Sequence, residues 1–184
     1  MARALKLGAQ GLALAGVAGL LALLVWRVVH HPGAKLNAAI AHGKKPAAPN
    51  FILPRLEGQG KVSLASYRGK AVVINFWNAY CVPCKAEAPM LERAWQKWRG
   101  QGVVFLGVDF EDFTGDARRF ARKHGMTYPL LHDSRRSVVD LYGLTGYPET
   151  FFVDRRGRLV GKHFAGQISK YSDLEANIRV ALRT

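Results

Sequence analysis

The feature that most constrains this chain is a pair of cysteines, Cys81 and Cys84, which are the only two in its 184 residues. The preceding run Ala71–Trp77 is apolar apart from Asn75. Such a run predicts a buried parallel strand. The cysteines therefore stand where a strand ends and a helix should begin. Two thiols separated by two residues at such a junction indicate reversible disulfide chemistry.

The start of a helix is a place where a thiolate is stabilised. The first N–H groups have no partner within the helix and the helix dipole adds partial positive charge, so the thiolate form of Cys81 is expected to be favoured. Pro83 suits the first turn, because it lacks only an N–H that would be unpaired there. We therefore predict that Cys81 is the exposed nucleophile and Cys84 the shielded resolving thiol.

Two other roles are open to such a pair. A zinc site needs further ligands at a short matching spacing, whereas His124, His132 and His163 stand singly in the sequence. A purely structural disulfide that closes so small a ring constrains the unfolded chain little, so it stabilises weakly. We therefore expect a redox pair, with no metal and no cofactor beyond the disulfide itself.

The chain from residue 47 onward has the pattern of an α/β domain. Buried strands are predicted over Ala71–Trp77 and Val103–Val108, and a hairpin over Glu149–Asp154 and Leu159–Phe164. Apolar residues at helical spacing predict helices between these strands and at the end of the chain.

The residues around the cysteines resemble those of a known family. The run Phe76–Lys85, with Pro89 five residues after Cys84 and the run Gly146–Phe151 downstream, is similar to the thioredoxin-like TlpA/ResA/CcmG (DsbE) family of membrane-anchored thiol:disulfide oxidoreductases. The resemblance covers residues 47–184. It implies a thioredoxin fold, in which helices flank a central mixed sheet, with an N-terminal β-hairpin and a central αβ insertion.

Both additions have a matching sequence pattern. The hairpin is predicted between Phe51 and Leu64, with Glu57–Gly60 as its turn. The insertion lies between Phe110 and Leu144. There the pattern predicts a helix, a short strand and a second helix over, in turn, Asp116–His124, Tyr128–Leu131 and Ser134–Tyr142.

The resemblance also implies a proton shuttle. Glu87 matches a glutamate that the family uses near its active site, and its spacing places it one helical turn beyond Cys84. Spacing alone leaves open an ordinary glutamate on the helix surface. Asn75 stands where thioredoxin has a buried aspartate, and an amide cannot carry protons.

Three further residues are implied to bind the substrate. Pro148 matches a cis proline that faces the disulfide, in a loop that pairs with the substrate backbone as a short added strand. Tyr147 precedes it, and Trp77 matches an aromatic residue that packs beside the disulfide. Sequence alone would favour a trans bond before Pro148, since only about 5–6% of X–Pro bonds in folded proteins are cis.

The N-terminal part of the chain predicts a membrane anchor and a tether. No residue from Leu7 to Trp26 is charged, and about 20 apolar residues suffice for a helix to cross a bilayer. This run exceeds the roughly 7–15 residues of a signal-peptide core, which favours an uncleaved anchor over residues 7–29 after a cytoplasmic segment, 1–6. Residues 30–46, rich in Ala, Gly, Pro and Lys, are predicted to tether the catalytic domain, residues 47–184.

The net charge of +14 favours anionic partners. Lipid headgroups are the plainest choice beside an anchor, and the dispersed basic residues form no nucleic-acid-binding signature. Basic residues on both sides of the predicted span leave the topology undecided. The resemblance implies a single-pass protein of the inner membrane with its catalytic domain in the periplasm.

The resemblance implies a function as well. It implies a thiol:disulfide oxidoreductase that reduces a cysteine pair of apocytochrome c before haem attachment, with electrons from a transmembrane thiol carrier of the DsbD/CcdA type. A disulfide oxidase for folding proteins stays open, because direction depends on the reduction potential. Copper delivery is disfavoured, since related copper carriers have a C-x-x-x-C pair and a distant histidine. Ile74 and Asn78 occupy the proline and threonine positions of a peroxidatic loop, which excludes the usual peroxidase site.

Overall fold

The computed structural model describes residues 14–26 and 32–184. Within them the strands are β1 (Ile52–Pro54), β2 (Lys61–Ser63), β3 (Ala71–Trp77), β4 (Val103–Phe110), β5 (Leu130–Asp133), β6 (Glu149–Val153) and β7 (Leu159–Ala165). The helices from residue 32 onward are α1 (Pro32–Ala41), α2 (Val82–Trp98), α3 (Thr114–Lys123), α4 (Ser137–Tyr142) and α5 (Tyr171–Arg183). Short 3₁₀ turns lie at Leu64–Tyr67 and Arg99–Gln101.

Five strands form one mixed sheet in the order β5-β4-β3-β6-β7. β3 pairs in parallel with β4, and β4 pairs in parallel with β5, whereas β6 runs antiparallel to both β3 and β7. All seven residues of the central strand β3 are buried. The predicted α/β fold with a central mixed sheet is therefore confirmed.

The side chains of β3 alternate between two hydrophobic clusters, as expected for a strand buried on both faces. One cluster contains Val72, Ile74 and Phe76 together with residues of α1 and α4. The other contains Ala71 and Val73 together with residues of α2 and α5. Helices thus cover both faces of the sheet.

The predicted hairpin and insertion have the expected order of elements. β1 and β2 form a separate antiparallel pair, and α3, β5 and α4 follow β4. β5 begins at Leu130, two residues later than predicted, because Pro129 has no N–H to donate to the sheet. α4 begins at Ser137 instead of Ser134, because Arg136 adopts a left-handed backbone with φ of 56°.

The prediction of a tether over residues 30–46 is wrong for Pro32–Ala41, which form α1. Leu36 is 8% exposed and lies in the hydrophobic cluster shared with α4, and Ile40 packs against the same cluster. Composition misled the prediction, because alanine is the best helix former rather than a linker residue. Leu36 and Ile40, four residues apart, also share one helix face.

The predicted anchor lies only partly within the described residues. Residues 14–26 are helical, and their large apolar side chains are exposed. Residues 1–13 and 27–31, which include the predicted cytoplasmic segment and both ends of the predicted span, lie outside the described residues. Over residues 14–26 and 32–184, no helix combines the length and the apolar character needed to cross a membrane.

α1 meets the end of α4 at a contact between two glycines. The Asn37 side-chain amide donates a hydrogen bond to the Gly143 carbonyl, with 2.9 Å between nitrogen and oxygen. A Cβ atom on Gly143 would lie 2.8 Å from both the Asn37 amide nitrogen and the Gly33 carbonyl oxygen. The absence of a side chain at Gly143 therefore allows α1 to dock.

Replacing Gly143 with alanine should loosen α1, and Gly125 offers a matched control. The φ angles of Gly143 and Gly125 are 61° and 62°, but a Cβ on Gly125 meets nothing within 4 Å. Both variants should lose about 1–2 kcal/mol through left-handed strain. We expect G143A to lose a further 1–3 kcal/mol, roughly the cost of overpacking, in chemical denaturation of the full chain. Equal losses in the two variants would contradict the docking of α1.

Candidate active site

The two cysteines lie at the junction between β3 and α2, as predicted. Cys81 is the N-cap residue of α2, and its Sγ accepts a hydrogen bond from the Cys84 backbone N–H, with 3.1 Å between nitrogen and sulfur. The two sulfurs form a disulfide. Cys84 is 3% exposed whereas Cys81 is only partly buried, which confirms the predicted difference in exposure. A sulfur that approaches from solvent therefore meets Cys81 first.

An apolar cluster supports the disulfide. Trp77, at the end of β3, is 1% exposed and shares this cluster with Cys84, and Cys81 packs against it. The Trp77 ring stacks on Phe120 of α3, with 4.9 Å between the ring centroids. The predicted packing of Trp77 beside the disulfide is confirmed, and its burial places it beneath the cysteines.

The loop before β6 reaches the same cluster. The peptide bond between Tyr147 and Pro148 is cis, as the family resemblance implies. Tyr147 packs against the cluster of Trp77 and Cys84, and its hydroxyl donates to the Glu111 carboxylate. The fold therefore brings Tyr147 and the cysteines together from segments far apart in the sequence.

Glu149, which the sequence analysis missed, holds this loop. Its Oε1 accepts from the backbone N–H groups of Thr145 and Gly146, with N–O distances of 2.6 and 3.0 Å. Its Oε2 lies 2.8 Å from His163 Nε2. Burial opposes ionisation, but the hydrogen bonds from His163 and Thr145 outweigh it and lower the pKa of Glu149. Its position directly after Pro148 was the one signal that could have found it.

Glu87 is buried, with 1% exposure, so it is not a surface glutamate. Its Oε1 accepts from the Ile168 backbone N–H at 3.0 Å, and its Oε2 lies 3.4 Å from the Asn75 side-chain amide. That amide also donates to the Thr150 hydroxyl at 3.0 Å. Burial raises the pKa of Glu87 to about 7, against the lowering effect of these hydrogen bonds. Glu87 can therefore gain or lose a proton at neutral pH.

Two acidic residues lie at and after the end of β4, and one of them, Asp112, contacts the loop that leads to Cys81. Asp109, at the end of β4, is 0% exposed, and its Oδ2 lies 2.6 Å from His132 Nδ1. Asp112 accepts from the Ala79 backbone N–H at 2.6 Å. Burial raises the pKa of Asp109 far above its usual range, and the hydrogen bond and charge of Asp112 raise it further.

The sequence analysis missed this group, although one signal was available. Asp109 ends a buried strand parallel to β3, and the carboxyl ends of parallel strands meet at the same edge of a sheet. The last residue of β4 also fixes the loop, because the Asn78 side-chain amide donates to the Phe110 carbonyl at 3.1 Å. The conformation of the peptide before Cys81 thus depends on the end of β4 and on the residues that follow it.

Comparison with known proteins identifies the family. Residues 45–162 match the sequence profile of the AhpC/TSA family. The chain is 36% identical over 134 residues to the thiol-disulfide oxidoreductase ResA of Geobacillus thermodenitrificans. The matched region covers 73% of this chain and 75% of that protein. It is 34% identical over 119 residues to ResA of Halalkalibacterium halodurans, across 65% of this chain and 67% of that protein. The chain belongs to the thioredoxin-like ResA/CcmG family of thiol-disulfide oxidoreductases.

A solved structure is similar to this ResA/CcmG chain in fold. A crystal structure assigned to the thiol:disulfide interchange protein DsbE of Chlorobium tepidum superposes with a TM-score of 0.68 and 28% identity. The similarity covers 73% of this chain and 94% of the other. Membership of the ResA/CcmG family makes the chain a thiol-disulfide oxidoreductase that acts on disulfide-bearing proteins.

Glu87 should make the stability of the protein depend on pH. Because its pKa rises from 4.5 to about 7 on folding, its contribution to stability is fully present below pH 4.5 and is lost as pH rises through 7. A shift of this size corresponds to about 3 kcal/mol. As the pH rises from 4.5 to 8, the wild type should therefore lose about 3 kcal/mol of its free energy of unfolding relative to E87Q. Urea denaturation of both proteins across this pH range is the measurement. A difference that stays constant with pH would contradict an ionisable buried carboxyl here.

Asp112 should stabilise the loop before Cys81. Alanine at this position leaves the Ala79 N–H without its acceptor, so D112A should lower the free energy of unfolding by about 1–3 kcal/mol. D112N keeps an oxygen for that N–H and removes a negative charge near Asp109, so it should lose clearly less. Denaturation of both variants at pH 7 is the measurement, and equal losses would refute the role of this hydrogen bond.

Proposed function

We propose that this ResA/CcmG chain is a membrane-tethered reductant of protein disulfides on the extracytoplasmic side. Its proposed client is the cysteine pair of apocytochrome c, which must be reduced before haem is attached. The observation that carries the proposal is the exposed Cys81 and shielded Cys84 at the start of α2, one turn from the buried carboxyl of Glu87.

The reaction is a pair of thiol–disulfide exchanges. The Cys81 thiolate attacks one sulfur of the client disulfide, which forms a mixed disulfide and releases the other client sulfur as a thiolate. Cys84 then loses its proton and attacks the Cys81 sulfur, which frees the client. Two electrons pass to the client, which leaves as a dithiol, and the Cys81–Cys84 disulfide remains.

Glu87 is proposed to take up the proton that Cys84 loses. Its pKa of about 7 means that both carboxylate and carboxylic acid are populated at neutral pH, which suits a group that must accept and return a proton. The helical spacing brings its side chain to the same face as Cys84. Ile168 and Asn75 hold the carboxyl group in place.

The loop of Tyr147 and Pro148 is proposed to bind the client. It packs on the apolar cluster that carries the disulfide, and Glu149 fixes it from the strand side. An extended client segment could pair with this loop as an added strand while its sulfur meets Cys81. Trp77 would contribute from below, by supporting the cysteines.

A disulfide oxidase is a second candidate, and one observation favours it. The Cys84 N–H directed at Cys81 Sγ would stabilise a thiolate there, and a stabilised reduced form makes a stronger oxidant. Glu87 acts in the other direction, because its negative charge above pH 7 disfavours a thiolate at Cys84. We favour the reductant because this carboxyl is buried beside the resolving thiol.

The anchor and the location belong to the same proposal. The run from Leu7 to Trp26 has no charged residue, and the large apolar side chains within residues 14–26 are exposed. An inner-membrane anchor over residues 7–29 would hold the domain on the periplasmic side, within reach of a transmembrane thiol donor of the DsbD/CcdA type.

Replacing Cys84 with serine should trap the client. With no resolving thiol, the mixed disulfide between Cys81 and the client persists. When the full-length C84S chain is expressed in its native host, it should therefore accumulate as a mixed disulfide with apocytochrome c. Non-reducing gels would show this adduct, and mass spectrometry would identify it.

The C81S variant is the matched control and should trap nothing. Deletion of the gene should remove haem-stained c-type cytochromes, and reducing agent in the medium should restore them. Normal cytochromes after deletion, or C84S adducts that hold only other secreted proteins, would refute apocytochrome c as the client.

A further inference from the structure

An open cleft of about 290 Å³ lies beside the cysteines, between the start of α2 and α3. Apart from Phe120, whose ring stacks on Trp77, its lining residues have no part in the proposed thiol–disulfide exchange. It is lined by eight residues, namely Ala79, Tyr80, Lys85, Asp116, Arg119, Phe120, Lys123 and His124. Three of the eight are lysine or arginine, and one is acidic.

The cleft has an excess of positive charge. Arg119 pairs with Asp116, so these two charges offset each other. Within residues 14–26 and 32–184, Lys85 and Lys123 form no ion pair with a carboxylate. The charges of both lysines act on His124, where they add to the effect of burial and lower its pKa. Two unpaired ammonium groups therefore converge beside the entrance to Cys81.

The floor and mouth of the cleft are aromatic. Phe120 is 6% exposed and its ring lies 4.4 Å from the ring of His124, centroid to centroid. Tyr80, directly before Cys81, is 67% exposed, and its hydroxyl is held by Asp116 at 2.7 Å. A rigid aromatic surface beside charged groups loses little conformational entropy when it binds a peptide.

The position of the cleft decides what can occupy it. Tyr80 and Lys85 lie on either side of the cysteine pair in the sequence, so whatever covers the cleft also lies next to Cys81. A membrane surface in this place would block access to the sulfur. A segment of the client itself would instead bring its own disulfide to Cys81.

We propose that this cleft selects clients whose disulfide is flanked by acidic residues. A client carboxylate would lie between Lys85 and Lys123, and an adjacent apolar side chain would cover Tyr80 and Phe120. Charged groups placed in this way raise the rate of encounter and favour the matching partner. The inference rests on the proposed thiol–disulfide chemistry and adds the class of client.

Three synthetic peptides test this selection. Each carries the same intramolecular disulfide, flanked by Glu, by Gln or by Lys, and the second-order rate of its reduction by the reduced full-length chain in detergent is measured. At low salt the Glu peptide should react about tenfold faster than the Gln peptide, and the Lys peptide more slowly. The differences should shrink towards 1 M salt, where the screening length is about 3 Å. Equal rates for the three peptides at low salt would overturn the proposal.

Two charge-matched double variants locate the effect. K85Q/K123Q removes two positive charges at the cleft, and R155Q/R156Q removes two at the exposed turn after β6, away from the cis proline that precedes this strand. The Glu-to-Gln rate ratio should fall to about threefold or less in K85Q/K123Q and stay near tenfold in R155Q/R156Q. An unchanged ratio in K85Q/K123Q, or the same fall in both variants, would overturn the proposal.

The ratio separates client selection from the chemistry itself. Any effect of Lys85 on the nucleophilicity of Cys81 changes the rates of all peptides alike and cancels in the ratio. The rate with the Gln peptide reports thiol–disulfide exchange, so failure to reduce any peptide would count against the proposed reductant function and not against the cleft.

Discussion

The burial of β3 is the constraint on which the site depends. This strand is enclosed on both faces and paired on both edges, so the point at which it ends is fixed by the whole sheet. β3 ends at Trp77, and α2 begins at Val82, five residues later, with Cys81 as its N-cap. The disulfide therefore stands at the end of the most constrained strand of the fold, with one sulfur facing solvent and the other facing the core.

Around that junction, buried acidic residues lie inside the protein and exposed basic residues lie on its surface. Inside, desolvation raises the pKa of Glu87 to about 7 and raises the pKa of Asp109 as well. Outside, Lys85 and Lys123 leave a positive surface beside Cys81. Glu87 is suited to the proton that Cys84 loses in the proposed reaction, whereas the exposed lysines are placed to meet the approaching client.

Local patterns predicted the elements, whereas long-range contacts decided which side chains work together. The apolar run of β3 predicted its limits, and the hairpin followed from its glycine-rich turn. Spacing could not show that Glu87 is buried, because Ile168, which covers it, lies far along the chain. The contact between Asp109 and His132 depends on the register of β4 with β5. The docking of α1 depends on Gly143, which no local pattern in residues 30–46 reveals.

The central claim, a reducing Cys81–Cys84 couple that exchanges its proton with Glu87, is tested most directly by its reduction potential. We would equilibrate the full-length chain with glutathione or dithiothreitol buffers from pH 5 to 9 and trap the thiols. At pH 7 we expect a reduction potential close to that of thioredoxin, about −270 mV. The plot of potential against pH should change slope near the pKa of Glu87, and E87Q should remove that change. A potential near the about −120 mV of DsbA, or a slope unaffected by E87Q, would contradict the claim.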